Sequence, residues 1–196
     1  MGNAVWKVNW KDQLADTYTY GSEIKFNADG SVSFSNELMP PGTVIHRWYS
    51  KTNYQAKRIE PALPMIDGER PYSLTLNVLK NSESGDSLLI RINFYDRYDN
   101  FADSIIIREK KAFFKPSVKT YSYNIELING GNADFTFNSF ILEEVSEKEF
   151  DEEQKRIEKI REASYKSEKK WRKSKEPHGR RTEKPDRGAK AKVSKR

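Results

Sequence analysis

Between residues 72 and 94 apolar and polar side chains alternate with a period of two. Tyr72, Leu74, Leu76 and Val78 are separated by Ser73, Thr75 and Asn77, and Leu88, Ile90, Ile92 and Phe94 repeat the alternation after Ser84, Gly85 and Asp86. Only a strand places every second side chain on one face, so both runs predict half-buried strands joined by a turn. A third apolar run, Ile105 to Ile107, follows the turn-rich residues 96–100. A fourth, Tyr121, Tyr123, Ile125 and Leu127, ends at Asn129, Gly130, Gly131 and Asn132. Phe135 and Phe137 keep one phase, whereas Phe140 and Leu142 keep the other. A uniform strand would turn the later pair outward, so a β-bulge is expected near Asn138 and Ser139.

Upstream, Ile24 and Phe26 face Val32 and Phe34 across Asp29-Gly30, a hairpin pattern. Residues 36–71 hold five of the eight prolines together with His46, Trp48, Tyr49 and Tyr54. So aromatic a connection is expected to do more than connect. Many short strands with no helix among them predict an all-β, antiparallel sandwich of jelly-roll type.

The character changes after Leu142. Ser146 with Glu149 three residues on forms a capping box, and the following run is dense in helix formers. Phe150, Ile157 and Trp171 recur at heptad spacing with Ile160 in the second seam position, but Glu153, Ser164 and Ser167 interrupt that seam, so it is too broken for a stable coiled coil. Past Pro177 there is almost nothing to bury. The expected organisation is a β-sandwich domain at 1–145, a charged helical segment at 146–176 and a disordered basic tail at 177–196.

Charge follows the same division. The formal net charge of +6 is an average over two unlike regions: residues 1–150 carry 17 Lys and Arg against 20 Asp and Glu, and residues 151–196 carry 18 against 9. The basicity therefore belongs to the tail, and the folded domain gives no footing for a nucleic-acid reading. There are no cysteines, which removes thiol nucleophiles and thiolate metal sites and fits a reducing compartment. Residues 1–10 lack a basic cluster followed by an apolar run, and no stretch approaches the length of a membrane span. The expectation is a cytoplasmic protein, peripheral at most at the inner face of the membrane.

Enzyme chemistry has little to work with. A hydrolytic triad needs a histidine, and the two present are His46 and His178, the latter in the tail. His46 among aromatics reads as a packed or hydrogen-bonded side chain. Asp96, Asp99 and Asp103 could offer a carboxylate pair or a calcium site, but their local spacing reads as turn chemistry. No phosphate loop or dinucleotide glycine pattern occurs, and no catalytic, cofactor or metal residue is assigned.

Binding chemistry has more. Trp48, Tyr49, Asn53, Tyr54 and Arg58 bring aromatic faces beside amides and a guanidinium, as in sugar-stacking sites and in interface hot spots. The competing reading puts Trp48 and Tyr49 on opposite faces of a strand, one of them in the core. In the tail, Lys169, Lys170, Arg172 and Lys173 surround Trp171, a pattern suited to anionic lipid or to phosphate. A solvated helix reads equally well there, because Glu168, Glu176, Glu183 and Asp186 dilute the charge.

Residues 31–64, reading SVSFSNELMPPGTVIHRWYSKTNYQAKRIEPALP, resemble the third accessory secretory protein of the accessory Sec system of Gram-positive bacteria. FYDRYD at 94–99, IELINGG at 125–131 and FTFNSFIL at 135–142 extend the resemblance over roughly the first 145 residues. It implies a sandwich like a carbohydrate-binding module and no catalytic residue. It further implies a cytosolic complex with the first and second accessory secretory proteins, serving with the accessory motor ATPase the export of a glycosylated serine-rich repeat adhesin. An autonomous module recognising N-acetylglucosamine on that adhesin is the alternative.

Overall fold

The computed structural model describes residues 4–11, 14–52, 60–80, 88–131 and 133–175. Among these residues ten strands are followed by one helix. The strands are β1 (Val5–Val8), β2 (Glu23–Phe26), β3 (Val32–Asn36), β4 (Val44–Tyr49), β5 (Tyr72–Lys80), β6 (Leu88–Tyr95), β7 (Phe101–Ile107), β8 (Lys111–Phe114), β9 (Ser122–Asn129) and β10 (Ala133–Glu144), and the helix is α1 (Glu147–Lys175). The chain divides into two compact units, Met1–Gln154 and Lys155–Arg196.

All strand pairs are antiparallel and form two sheets, so the predicted β-sandwich is the fold observed. One sheet runs β2-β3-β10-β5-β8, with β1 pairing the later half of β10 where β3 pairs the earlier half. The other runs β4-β9-β6-β7. The inward residues of both meet in a single core containing Phe34, Phe135, Phe137, Phe140, Leu74, Ile92, Ile125 and Leu127.

The alternations at 72–78 and 88–94 become β5 and β6, and Asp29-Gly30 turns the β2–β3 hairpin with Gly30 at φ +80°. Asp29 stabilises that turn by accepting from the Ser31 N–H at 3.0 Å. The phase slip in β10 is a register shift between Phe137 and Ser139, which keeps Phe135 and Phe137 on the core side together with Phe140 and Leu142. The turn expected at 84–86, and Asn132 at the end of the fourth run, lie outside the described residues.

Two expectations are corrected. Tyr121, expected to share the buried face of Tyr123, Ile125 and Leu127, precedes β9 and is 62% exposed. Its N–H donates to the Tyr95 carbonyl at 2.8 Å, and the Lys51 ammonium lies over its ring. The aromatic connection of residues 36–71 is in part a core strand: β4 sits at the edge of the second sheet, and Leu63 beyond it is buried.

The capping box is present, with Glu149 accepting from the Ser146 N–H at 3.0 Å and Ser146 Oγ accepting from the Glu149 N–H at 3.2 Å. Further along α1, Ile160 and Trp171 of the interrupted seam are exposed. The residues expected to form the disordered tail lie outside the described structure.

Candidate functional site

The aromatic group around Trp48 is built on β4. A register shift between Val44 and His46 lets both Ile45 and His46 be buried, after which the strand alternates: Trp48 inward, Arg47 and Tyr49 outward. Trp48 is 2% exposed. Its ring lies 5.3 Å from Phe137 and 5.1 Å from Phe140, and its Nε1 donates to the Asn9 carbonyl at 3.0 Å. A ring enclosed on both faces has no surface left for a sugar or a partner. Of the two readings of this pair, the strand with one residue in the core is the one the structure takes, and Trp48 is corrected from contact to core.

His46 is packed and hydrogen-bonded, as the reading of a lone histidine among aromatics expects. It stacks on Trp10 at 4.5 Å and meets the Trp48 ring edge-on at 4.5 Å. Its Nδ1 lies 2.6 Å from Thr17 Oγ1, and that hydroxyl also accepts from Trp10 Nε1 at 3.2 Å. Burial drives the imidazole pKa down to about 3, so near neutral pH it is uncharged and shares a single proton between the Nδ1 and Nε2 positions of its two tautomers. The cavity beside it, lined by Trp10, His46, Tyr49 and Ala62 among others, has a volume of about 20 Å³. That holds a water molecule at most.

The outward residues form a different surface. Across the second sheet Arg47 pairs in register with Glu126, and Glu126 with Arg91. Arg47 Nε donates to Glu126 Oε1 at 2.6 Å and Arg91 Nε to Oε2 at 2.6 Å, so each carboxylate oxygen has its own guanidinium. Glu126 is 4% exposed although it faces away from the core. Burial pushes its pKa up, the two arginine bonds pull it down, and the net result is a carboxyl held below its ordinary range. In the next row Asn93 Nδ2 donates to Asn124 Oδ1 at 2.8 Å, and Asn124 Nδ2 to the Tyr95 hydroxyl at 3.0 Å. Tyr49, in register with Asn124, has its pKa raised by burial and then by Asp16, to which its hydroxyl donates at 3.4 Å.

Sequence reading missed this polar face. The only signal for it is the set of polar residues interleaved between apolar ones in β6 and β9, Arg91, Asn93, Asn124 and Glu126, which reads simply as a wet face until the register is known.

Of the other candidates, Asn53, Tyr54 and Arg58 lie outside the described residues. Lys169, Lys170, Trp171, Arg172 and Lys173 fall on α1, where Lys169 and Trp171 are exposed. Asp96 does turn chemistry, accepting from the N–H groups of Tyr98 and Asn100 at 2.8 and 2.9 Å, and Asp99 pairs with Lys51 at 3.0 Å. Among the described residues no cluster of three or more metal-ligating side chains occurs, and no helix is long and apolar enough to cross a membrane.

Comparison with known proteins gives a consistent result. The model of the family described as the third accessory secretory protein of the accessory Sec secretory system matches residues 17–144. The family member from Streptococcus gordonii is 36% identical over 131 residues, which is 67% of this chain and 81% of that protein. Among solved structures, the glycosylation-associated protein complex of Streptococcus agalactiae contains a chain aligning at 36% identity and TM-score 0.67, over 73% of this chain and 45% of that one. A chain in the crystal structure of accessory secretory proteins 1, 2 and 3 of Streptococcus pneumoniae aligns at 29% identity and TM-score 0.67, over 71% of this chain and 96% of that one.

Proposed function

Because the chain belongs to the family of the third accessory secretory protein of the accessory Sec system, we propose that it is a non-enzymatic subunit that assembles with the first and second accessory secretory proteins. In that assembly it supports modification and export of a glycosylated serine-rich repeat adhesin alongside the motor ATPase. The observation that carries this reading is the alignment with a chain crystallised together with accessory secretory proteins 1 and 2, 96% of which this chain covers. The polar groups of the site favour the same reading. His46 is 4% exposed, packed against aromatic rings and bordered by a cavity with room for one water, and both oxygens of Glu126 are held by arginines. Neither has an open face from which to act on a substrate.

The autonomous glycan-binding alternative loses the ring it relied on most, since Trp48 is enclosed. Among the described residues, what remains for it is half-buried Tyr49.

The test is co-expression of the full chain with its own organism's first and second accessory secretory proteins. One complex containing all three, stable through size exclusion, is the expected result. A chain that elutes alone and monodisperse from that mixture would overturn the reading.

A further inference from the structure

The six-stranded sheet ends unevenly. β10 pairs with β5 along its whole length, from Tyr72 to Lys80. On the opposite side β8 pairs only with Tyr72, Ser73, Leu74 and Thr75. The last backbone bond across that side runs from the Leu76 N–H to the Lys110 carbonyl at 2.8 Å. Backbone groups of alternate residues point the same way along a strand, so those of Val78 and Lys80 project past the end of β8. Among the described residues no strand pairs with them there.

A cleft of about 190 Å³ opens beside this edge, between the two sheets. Half-buried Leu76 and Val78 line it on one side, and Leu88, Ile90 and Ile107, all core residues, form its floor. Exposed Arg108, Glu109 and Lys110 make a rim with an excess of positive charge.

We propose that this edge receives a β-strand from one of the two accessory secretory partners. Its main chain pairs with Val78 and Lys80, alternate apolar side chains enter the cleft, and acidic residues lie beside Arg108 and Lys110. An apolar cleft alone accepts many shapes; donors and acceptors at strand spacing along its lip select an extended chain. The basic residues of this chain's own C-terminal region are the wrong occupant for a basic rim, and they offer almost no apolar side chain to fill the cleft. A second copy would bring a second basic rim to the same short edge.

The proposal rests on the assembly stated above, and its test separates the two. Val78→Pro deletes an N–H that faces the open side and leaves the β10 ladder intact, as proline is tolerated at sheet edges. It should weaken assembly of the three-protein complex about tenfold or more, with the thermal midpoint of the chain alone nearly unchanged. Leu79→Lys, at an exposed side chain on the outer face, should assemble like wild type. In the wild-type complex the amides of Val78 and Lys80 should become protected from hydrogen exchange. If Val78→Pro does not fold, this exchange measurement decides alone.

A complex that forms with no protection at residues 78 and 80 overturns the strand-docking proposal and leaves the subunit reading standing. A wild-type chain that forms no complex overturns both. Dimerisation of the chain alone, abolished by Val78→Pro, would assign the edge to a second copy and also overturn the proposal.

Discussion

His46 and Arg47 are neighbours on β4, yet their side chains go to opposite faces of the sheet and meet opposite electrostatic problems. Inside, the imidazole of His46 is 4% exposed and surrounded by Trp10 and Trp48, with a single hydroxyl as polar partner. A charge there would be costly, so the group is kept neutral. Outside, Arg47 joins Arg91 in holding Glu126, equally hidden from solvent, and there the charge is kept because both oxygens are bonded. The same degree of burial thus leads to loss of charge where the neighbours are rings and to retention of charge where they are guanidinium groups.

The inner half of the comparison is the more fragile. Trp48→Ala removes one wall of the His46 chamber and leaves a void between rings, which should lower unfolding free energy by about 3–5 kcal/mol in urea titrations. Water admitted to the void should also bring the His46 pKa back toward 6.5, measurable by imidazole NMR. A loss below about 1 kcal/mol would mean that the chamber collapses without penalty and that Trp48 is not what keeps His46 dry.

On the outer face the effect should be smaller. Glu126→Gln removes the charge, but Arg47 and Arg91 are 44% and 36% exposed and can turn into water, which limits the cost to about 1–3 kcal/mol. Replacing the row together, Arg47→Met with Glu126→Leu and Arg91→Met, should be close to neutral, because an apolar row needs no desolvation of charge. If the triple variant proved as destabilised as Glu126→Gln, the row would owe its stability to the ion pairs themselves, and the comparison with His46 would have to be redrawn.

Whether a feature could be read from the sequence depended on how local its cause was. The β2–β3 turn, the alternation of β5 and β6, the β10 bulge and the Ser146–Glu149 capping box each arise within a few residues, and each was expected where it occurs. β1 and β8 are four residues long, too short to display a period. In β4 the bulge at Val44/His46 puts Ile45 and His46 both inside, which breaks the alternation that would have marked a strand. Trp10, stacked on His46, belongs to no periodic segment at all. The Glu126 row was invisible for another reason: its arginines are 79 and 35 residues away along the chain, and only sheet register brings them together. Composition could suggest an aromatic binding loop at 36–71, but not that Trp48 points inward.

The pH dependence of stability separates the two halves most sharply. His46 titrates near 6.5 when unfolded and at about 3 when folded. Between those values the unfolded chain binds the extra proton, so stability rises with pH; the contribution is complete above 6.5 and declines as the pH falls. Glu126 is also depressed, from 4.5, so its contribution is complete above that value and is lost only as pH falls through its folded pKa. Asp29, Asp96 and Glu149, whose pKa values are lowered by hydrogen bonds, share that acid range. From pH 6.5 down to roughly 5 the histidine therefore acts ahead of these carboxylates, with a slope of at most about 1.4 kcal/mol per pH unit. Urea midpoints measured across that window should fall with pH for the wild-type chain and stay nearly flat for His46→Phe. His178 is retained in both proteins, so the difference between the curves isolates His46. Parallel curves would show that the buried imidazole is not the group that responds, and the inner solution to burial would then need another explanation than a histidine held neutral by its aromatic walls.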